Sequence, residues 1–305
     1  MLNFRTGVPS PGANAPTAAR SEDDTKAARD LRLACRAQRH TGPTQGLADQ
    51  FVQCNVVILP ERQALGFLMF CLRNPRGCPL IDVLDAGAVK PNNKLIGDDF
   101  DVRTDLPKYL IYENGKAAKE VAEVKEHWRP DLVTFLLGCS FSWDMALSKI
   151  GLTPRHVEEN SNVSMYVCSR VKNVVAQIAS HPTDKTCGAN DECPAKFGGQ
   201  LVVSMRPYKE ADIEKVRALT AQYPGAHGAP VGWGYEYASR ELGVRDLRVP
   251  DYGCSVDIRE GELPVFWACG VTSQQGIASS RVPFAITHAP GHMLVTDLWN
   301  EDLKC

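Results

Sequence analysis

Two stretches of this chain end apolar runs in residues able to do chemistry. Gly261-Glu-Leu-Pro-Val-Phe-Trp-Ala-Cys-Gly-Val-Thr272 runs into Cys269, Gly270 and Thr272, and Phe284-Ala-Ile-Thr-His-Ala-Pro-Gly-His-Met-Leu-Val-Thr-Asp297 runs into His288, Pro290, Gly291 and His292. Each run reads as a buried strand, and in open α/β folds such strand ends face the crevice where ligands bind. An earlier segment echoes the first. Phe135-Leu-Leu-Gly-Cys-Ser-Phe-Ser142 and Phe266-Trp-Ala-Cys-Gly-Val-Thr-Ser273 both pass from an apolar strand, through a Gly/Cys pair, to hydroxyl residues entering a helix. Backbone N–H groups at such a turn are unpaired and point outward, so two turns facing one pocket would each hold a carboxylate or a developing oxyanion. Ser140, Ser142, Gly270 and Thr272 are candidates on that basis. The competing reading is of two central strands with small residues where backbones pack closely.

Cys139 and Cys269 stand where a helix N-terminus lowers a thiol pKa, although a buried cysteine more often serves as a small apolar residue. His227, in His227-Gly-Ala-Pro230, and His288 and His292 sit beside Gly and Pro in rigid turns, as a general base or carboxylate ligand must. Arg206 ends the strand Leu201-Val-Val-Ser-Met-Arg-Pro207, where its fork would either bind a substrate carboxylate or close a structural ion pair. Arg103 lies in the charged turn Asp101-Val-Arg-Thr-Asp-Leu-Pro107, which either closes over a pocket or lies in solvent. Cys187 and Cys193, downstream of His181, are too widely spaced for half a zinc site and lack a second pair, so no metal is expected. Gly232-Trp-Gly234 lacks the third glycine of a dinucleotide fingerprint, and no phosphate loop exists, so no cofactor is indicated.

Elements must carry these residues. A helix capped at Asp23 or Asp24 is expected to run to about Arg39, with an apolar segment Phe51 to Leu59 and a helix Glu61 to Asn74 stopped by Pro75. Tyr109 to Tyr112 and the Asn114-Gly115 turn predict a hairpin. Asp131 to Leu137 predicts a strand, Ser142 to Ile150 a helix closed by Gly151, and Val163 to Cys168 and Leu201 to Met205 further strands. Ile213, Val216 and Leu219 put a helix over Ala211 to Tyr223. Strands alternating with helices predict an α/β fold: a three-layer α/β domain with a mainly parallel sheet plus a smaller α+β domain. The expected division is a disordered tail over residues 1–22, a main domain over 23–155 and 250–305, and a smaller domain over 156–249.

The 305 residues suffice to bury roughly three quarters of the unfolded surface. Lys plus Arg number 34 against 36 Asp plus Glu, without basic runs interleaved with aromatics, so nucleic acid is not the expected partner. No stretch reaches the ~18 apolar residues that cross a bilayer, and no membrane partner is expected. Eleven cysteines, an odd number in a long chain without an export signal, read as reduced thiols in a cytoplasmic protein. A Ser/Ala-rich start with Arg5 and Arg20 and no acid keeps a mitochondrial address open, against the prolines at 9, 11 and 16. A small-molecule carboxylate is the expected partner, and homo-oligomerisation is left open.

Taken in order, these segments resemble the hydro-lyase family that includes D-glutamate cyclase. The resemblance runs from about Val52 to Asp297. It is carried by Cys71-Leu-Arg-Asn-Pro-Arg-Gly-Cys-Pro79, the Asp101 to Pro107 turn, both Gly/Cys turns, Val202-Val-Ser-Met-Arg-Pro207, His227-Gly-Ala-Pro230 and His288-Ala-Pro-Gly-His-Met293. It implies a three-layer α/β domain with a smaller α+β domain, and closure of D-glutamate to 5-oxo-D-proline with loss of water. It implies roles for His288, His227, Thr272, Ser140, Cys269 and Asp251 in catalysis, and for Arg206, Ser142, Gly270, Arg103 and His292 in binding. The chain departs from the family pattern where Gly232 replaces a usual histidine and Cys254 a usual aspartate. Those two departures keep open a diverged elimination, cyclisation or isomerisation, and a non-catalytic small-molecule-binding protein.

Overall fold

The computed structural model describes residues 22–93, 96–97, 99–176 and 195–305. The expected tail, up to residue 21, and the insertion bearing His181, Cys187 and Cys193 lie outside the described residues. The elements in order are α1 (Glu22–Arg36), β1 (Phe51–Pro60), α2 (Glu61–Arg73), β2 (Leu80–Leu84), β3 (Tyr109–Glu113), β4 (Lys116–Val121), β5 (Leu132–Gly138), α3 (Phe141–Lys149) and α4 (Arg155–Glu158). They continue with β6 (Ser164–Lys172), β7 (Gln200–Lys209), α5 (Glu210–Thr220), β8 (Gly232–Trp233), β9 (Glu262–Ala268), α6 (Thr272–Ser280), β10 (Phe284–His288) and β11 (Leu294–Trp299). A π-helical turn spans Tyr237–Leu242. The Asn114-Gly115 hairpin forms because both residues adopt positive φ, 51° and 74°, which a two-residue turn with the right twist demands.

Seven strands form one sheet, ordered β2-β5-β1-β10-β3-β4, with β11 also pairing β1; the second sheet is β6-β7-β9-β8. Every named pairing is antiparallel. The mainly parallel sheet expected from the sequence is therefore corrected. The misleading signal was the alternation of strands with helices, which reports layering and not strand direction; nor does burial settle direction, as β1 shows with all ten residues buried. Val52, Cys54, Val56 and Ile58 pack into a core with Trp143 of α3 and Trp267 of β9. Val57 and Leu59 pack on the opposite face with Phe67 and Phe70 of α2 and Ile277 of α6. Continuous apolarity reports burial of two faces, common in parallel sheets, and says nothing of strand direction.

Direction is set by the connections. The helix after β5 leads into β6 of the other sheet, and the helix after β9 leads back into β10 of the first. Neither helix returns its chain alongside the strand it left, so neither makes a hydrogen-bonded parallel pair. Between the sheets lies the core that fixes their separation. The rings of Trp143 and Trp267 are 5.3 Å apart, and their N–H groups donate to the Ala226 carbonyl at 2.9 Å and to the Thr220 hydroxyl at 3.2 Å. Losing either ring to alanine would cost about 3–5 kcal/mol.

Candidate active site

Each sheet sends one strand through a Gly/Cys turn into a nine-residue helix, β5 into α3 and β9 into α6. The two turns meet. Cys139 and Cys269 belong to one side-chain cluster with Phe141, Val163, Met165, Val202, Val271 and Met293, with Tyr252 against it. Asn55 of β1 ties the turns together: its amide donates to the Gly138 carbonyl at 2.8 Å and lies flat on Gly270. A Cβ added to Gly270 would stand 2.1 Å from that amide nitrogen, so this position requires glycine for close approach. Burial pushes the Cys139 thiol up to about 12, with the Phe141 N–H pulling against it. It pushes Cys269 up to about 11, against the pull of the Val271 and Gly270 N–H groups and of Arg206.

Beneath the turns lies a buried charge network. Arg206 is fully buried; its Nε donates to Asp144 Oδ1 at 3.1 Å, Nη1 to Ser204 at 3.1 Å and Nη2 to Ser140 at 3.0 Å. Its guanidinium carbon lies 4.3 Å from the Trp143 ring centre and 5.6 Å from that of Trp267. Asp144 also meets His156 Nε2 at 3.0 Å. Burial alone would raise the Asp144 carboxyl, but Arg206 and His156 hold it below its ordinary value. Of the two alternatives for Arg206, the guanidinium is engaged in the ion pair, and it also fastens the first turn through Ser140.

The hydroxyls of the turns face the frame. Thr272 accepts the Val202 N–H at 3.0 Å, Ser142 accepts the Gln53 N–H at 3.2 Å, and Ser273 donates to the Gly270 carbonyl at 2.7 Å. His227 adopts a left-handed backbone, φ 77°, with Nδ1 2.7 Å from the Arg76 carbonyl. Its loop packs against the first turn, where a Cβ on Gly138 would stand 1.7 Å from the Gly225 carbonyl. Burial lowers the His227 pKa to about 4. His288 is fully buried, and its Nδ1 accepts the Val56 N–H at 3.2 Å where β10 and β11 part on β1. Its pKa falls to about 4 through burial, and its Nε2 has no hydrogen-bond partner among the described residues.

The remaining candidates have contacts of their own. His292 has Nδ1 3.1 Å from the Pro290 carbonyl, with Lys108 and Glu120 as charged neighbours. Arg103 is paired with Asp101 at 2.8 Å. Asp251 accepts the Val167 N–H at 2.7 Å on an exposed loop, next to Tyr252, whose hydroxyl accepts a hydrogen bond from Gln275 of α6 at 3.1 Å. Among the described residues no three His, Cys, Asp or Glu side chains are placed to hold a metal, and no helix is long and apolar enough to cross a membrane.

The family model described as D-glutamate cyclase matches residues 133–297, which takes in both turns, Arg206, His227 and His288. A relative from Rubrobacter xylanophilus is 46% identical over 270 residues, covering 88% of this chain and 95% of its own. The chain belongs to the D-glutamate cyclase family. A relative from Burkholderia multivorans is 44% identical over 274 residues, 90% of this chain and 96% of its own, and one from Bordetella pertussis is 46% identical over 277 residues, 91% of each. All three carry a hydro-lyase name, and a lyase-like function follows for this chain at that level of description.

Sequence reasoning passed over Asp144, His156 and Asn55. The signals were present: Asp144 is an acid inside the otherwise apolar start of α3, and Asn55 an amide inside the apolar run of β1. Buried polar groups must find partners, so each pointed to a fixed contact. Chemically, the arrangement offers two thiols, two helix N-termini and a neutral imidazole around one small region, held by a salt-bridged frame.

Proposed function

We propose that this protein is a lyase that takes a small dicarboxylic amino acid between the two turns and closes D-glutamate to 5-oxo-D-proline with loss of water. The observation carrying this reading is the convergence of β5–α3 and β9–α6, from different sheets, on one cluster in a chain of this family. The γ-carboxylate is a poor electrophile until its charge is neutralised. N–H groups at the starts of α3 and α6 are assigned that task, since they favour negative charge. The ammonium must lose a proton before it attacks, and His227, neutral at pH 7 with its pKa near 4, is assigned to take it. Arg206 acts as a positioning residue that holds Ser140 and the first turn against β7.

A second reading, another elimination, cyclisation or isomerisation, is favoured by one observation. The Tyr237 ring fills the space beside Gly232, where a Cβ would stand 2.3 Å from it, and its hydroxyl donates to the Val231 carbonyl at 2.8 Å. Chiral chromatography of a D-glutamate incubation separates the two. 5-Oxo-D-proline from the D isomer supports cyclisation, and its absence with folded protein leaves the second reading. His227→Asn with undiminished turnover would remove the imidazole from the mechanism.

A further inference from the structure

Alternate residues of β9 face opposite ways. Val265 and Trp267 enter the core between the sheets, whereas Phe266 packs on the other face with Tyr166, Val203 and Met205. That outer face is covered by the π-helical turn Tyr237–Leu242 and the chain after it, through Ala238, Leu242, Val244 and Val256. Between the covering segments lies a cavity of about 670 Å³, within the range of small-molecule sites. β6 fixes its walls: Tyr166 donates to the Leu247 carbonyl at 2.6 Å, Ser169 to the Gly243 carbonyl at 2.7 Å and Ser164 to the Cys254 carbonyl at 2.6 Å. The cavity is pre-formed, and single π turns recur at functional sites.

Two of the charges lining it neutralise each other: Arg248 donates to both carboxylate oxygens of Asp246, at 3.0 and 2.9 Å. Two more are left over. The backbone of Asp257 is held, its carbonyl accepting from Arg155 at 2.8 Å and its N–H donating to Glu159 at 3.2 Å. Its carboxylate, like the Arg245 guanidinium and the Tyr235 and Ser255 hydroxyls, makes no hydrogen bond or ion pair among the described residues. Much of the remaining wall is apolar, made by Ala238, Val244, Leu247, Val256 and Ile258. One unmatched cation, one unmatched anion and an apolar wall complement a ligand with a carboxylate, an ammonium and an apolar side chain. We propose that this cavity binds a free α-amino acid with an apolar side chain, its carboxylate on Arg245, its ammonium on Asp257 and its side chain against Val244, Val256 and Ile258. Glutamate is not the ligand here, because its γ-carboxylate would lose its water against that wall. The cavity shares no residue with the cluster at the Gly/Cys turns, so this site stands independently of the cyclase reading.

The test is isothermal titration of the full chain with L- and D-phenylalanine, 3-phenylpropionate and 2-phenylethylamine. Saturable binding of at least one phenylalanine enantiomer is expected. The other two compounds each lack one charge and should bind about 10-fold or more weakly, and glutamate should not displace phenylalanine. Arg245→Gln and Asp257→Asn should each weaken phenylalanine by a similar factor; both residues are exposed, so both variants should melt as the wild type does. Lys215→Gln, an exposed cation on α5, should change nothing. No binding of either enantiomer to the wild-type protein up to about 10 mM overturns the proposal, without any variant needing to fold. Undiminished affinity in either cavity variant also overturns it. So does 3-phenylpropionate binding as tightly as phenylalanine, which leaves a simple anion site, or displacement of phenylalanine by equimolar glutamate.

Discussion

Acidification to pH 5 should weaken this protein far more than its near-neutral charge balance suggests. His227 and His288 are both buried, and burial lowers each pKa from the ordinary 6.5 to about 4. A base whose folded pKa is depressed binds fewer protons folded than unfolded between those values. Its contribution is therefore complete above pH 6.5 and is lost as the pH falls toward 4. At pH 5 the loss is about 2 kcal/mol per histidine and about 4 kcal/mol for the two. His156 and His292, also lowered, add in the same direction. Asp99, Asp101 and Asp144 are held below the ordinary carboxylate value by their arginine partners, so their contribution is lost only at lower pH and does not obscure this window. Urea unfolding followed by tryptophan fluorescence at pH 7 and pH 5 measures the effect, and a midpoint lower by about 1–2 M is expected. His227→Asn, which tolerates the left-handed backbone, should remove roughly half of the pH slope. Midpoints within about 0.3 M of each other at the two pH values would refute the reasoning.

Arg206→Met leaves Asp144 buried beside His156 alone and should cost about 3–5 kcal/mol, while Arg206→Met with Asp144→Leu should recover part of that in a double-mutant cycle of denaturant midpoints. Gly232→His should destabilise the fold unless Tyr237 is shortened at the same time, because the new side chain meets the phenol ring; thermal melts of Gly232→His and of Gly232→His with Tyr237→Ala compare the two. Among the described cysteines, iodoacetamide with peptide mapping should label Cys254 and Cys305 quickly and the seven buried ones only slowly or on unfolding.

The sequence was most legible where one local rule decides the outcome. Asn114-Gly115 has few alternatives to a hairpin turn, and Glu61 to Arg73 carries its apolar face at helical spacing behind Pro60. The paired Gly/Cys turns were legible as a repeated pattern, and the structure brings them together. Strand direction was not legible, because it depends on α3 and α6 crossing between sheets, which no local residue specifies. The side chains of Ser140 and Thr272 were ambiguous for a related reason. A hydroxyl at a turn serves a ligand or a neighbouring backbone equally well, and Val202 and Arg206, distant in sequence, claim these two.

The central strand β1 has a consequence for how the chain comes to be made. One of its edges is matched by β5 soon after it is synthesised, but the other waits for β10 and β11. The roughly 150 residues between Gly138 and Phe284 take about 7–30 s to leave a ribosome. For that time a ten-residue apolar ribbon stands with open backbone donors and acceptors, the feature that recruits like strands from neighbouring nascent chains. Yield on expression should therefore depend on chaperone supply and on translation speed more than on the final stability of the molecule.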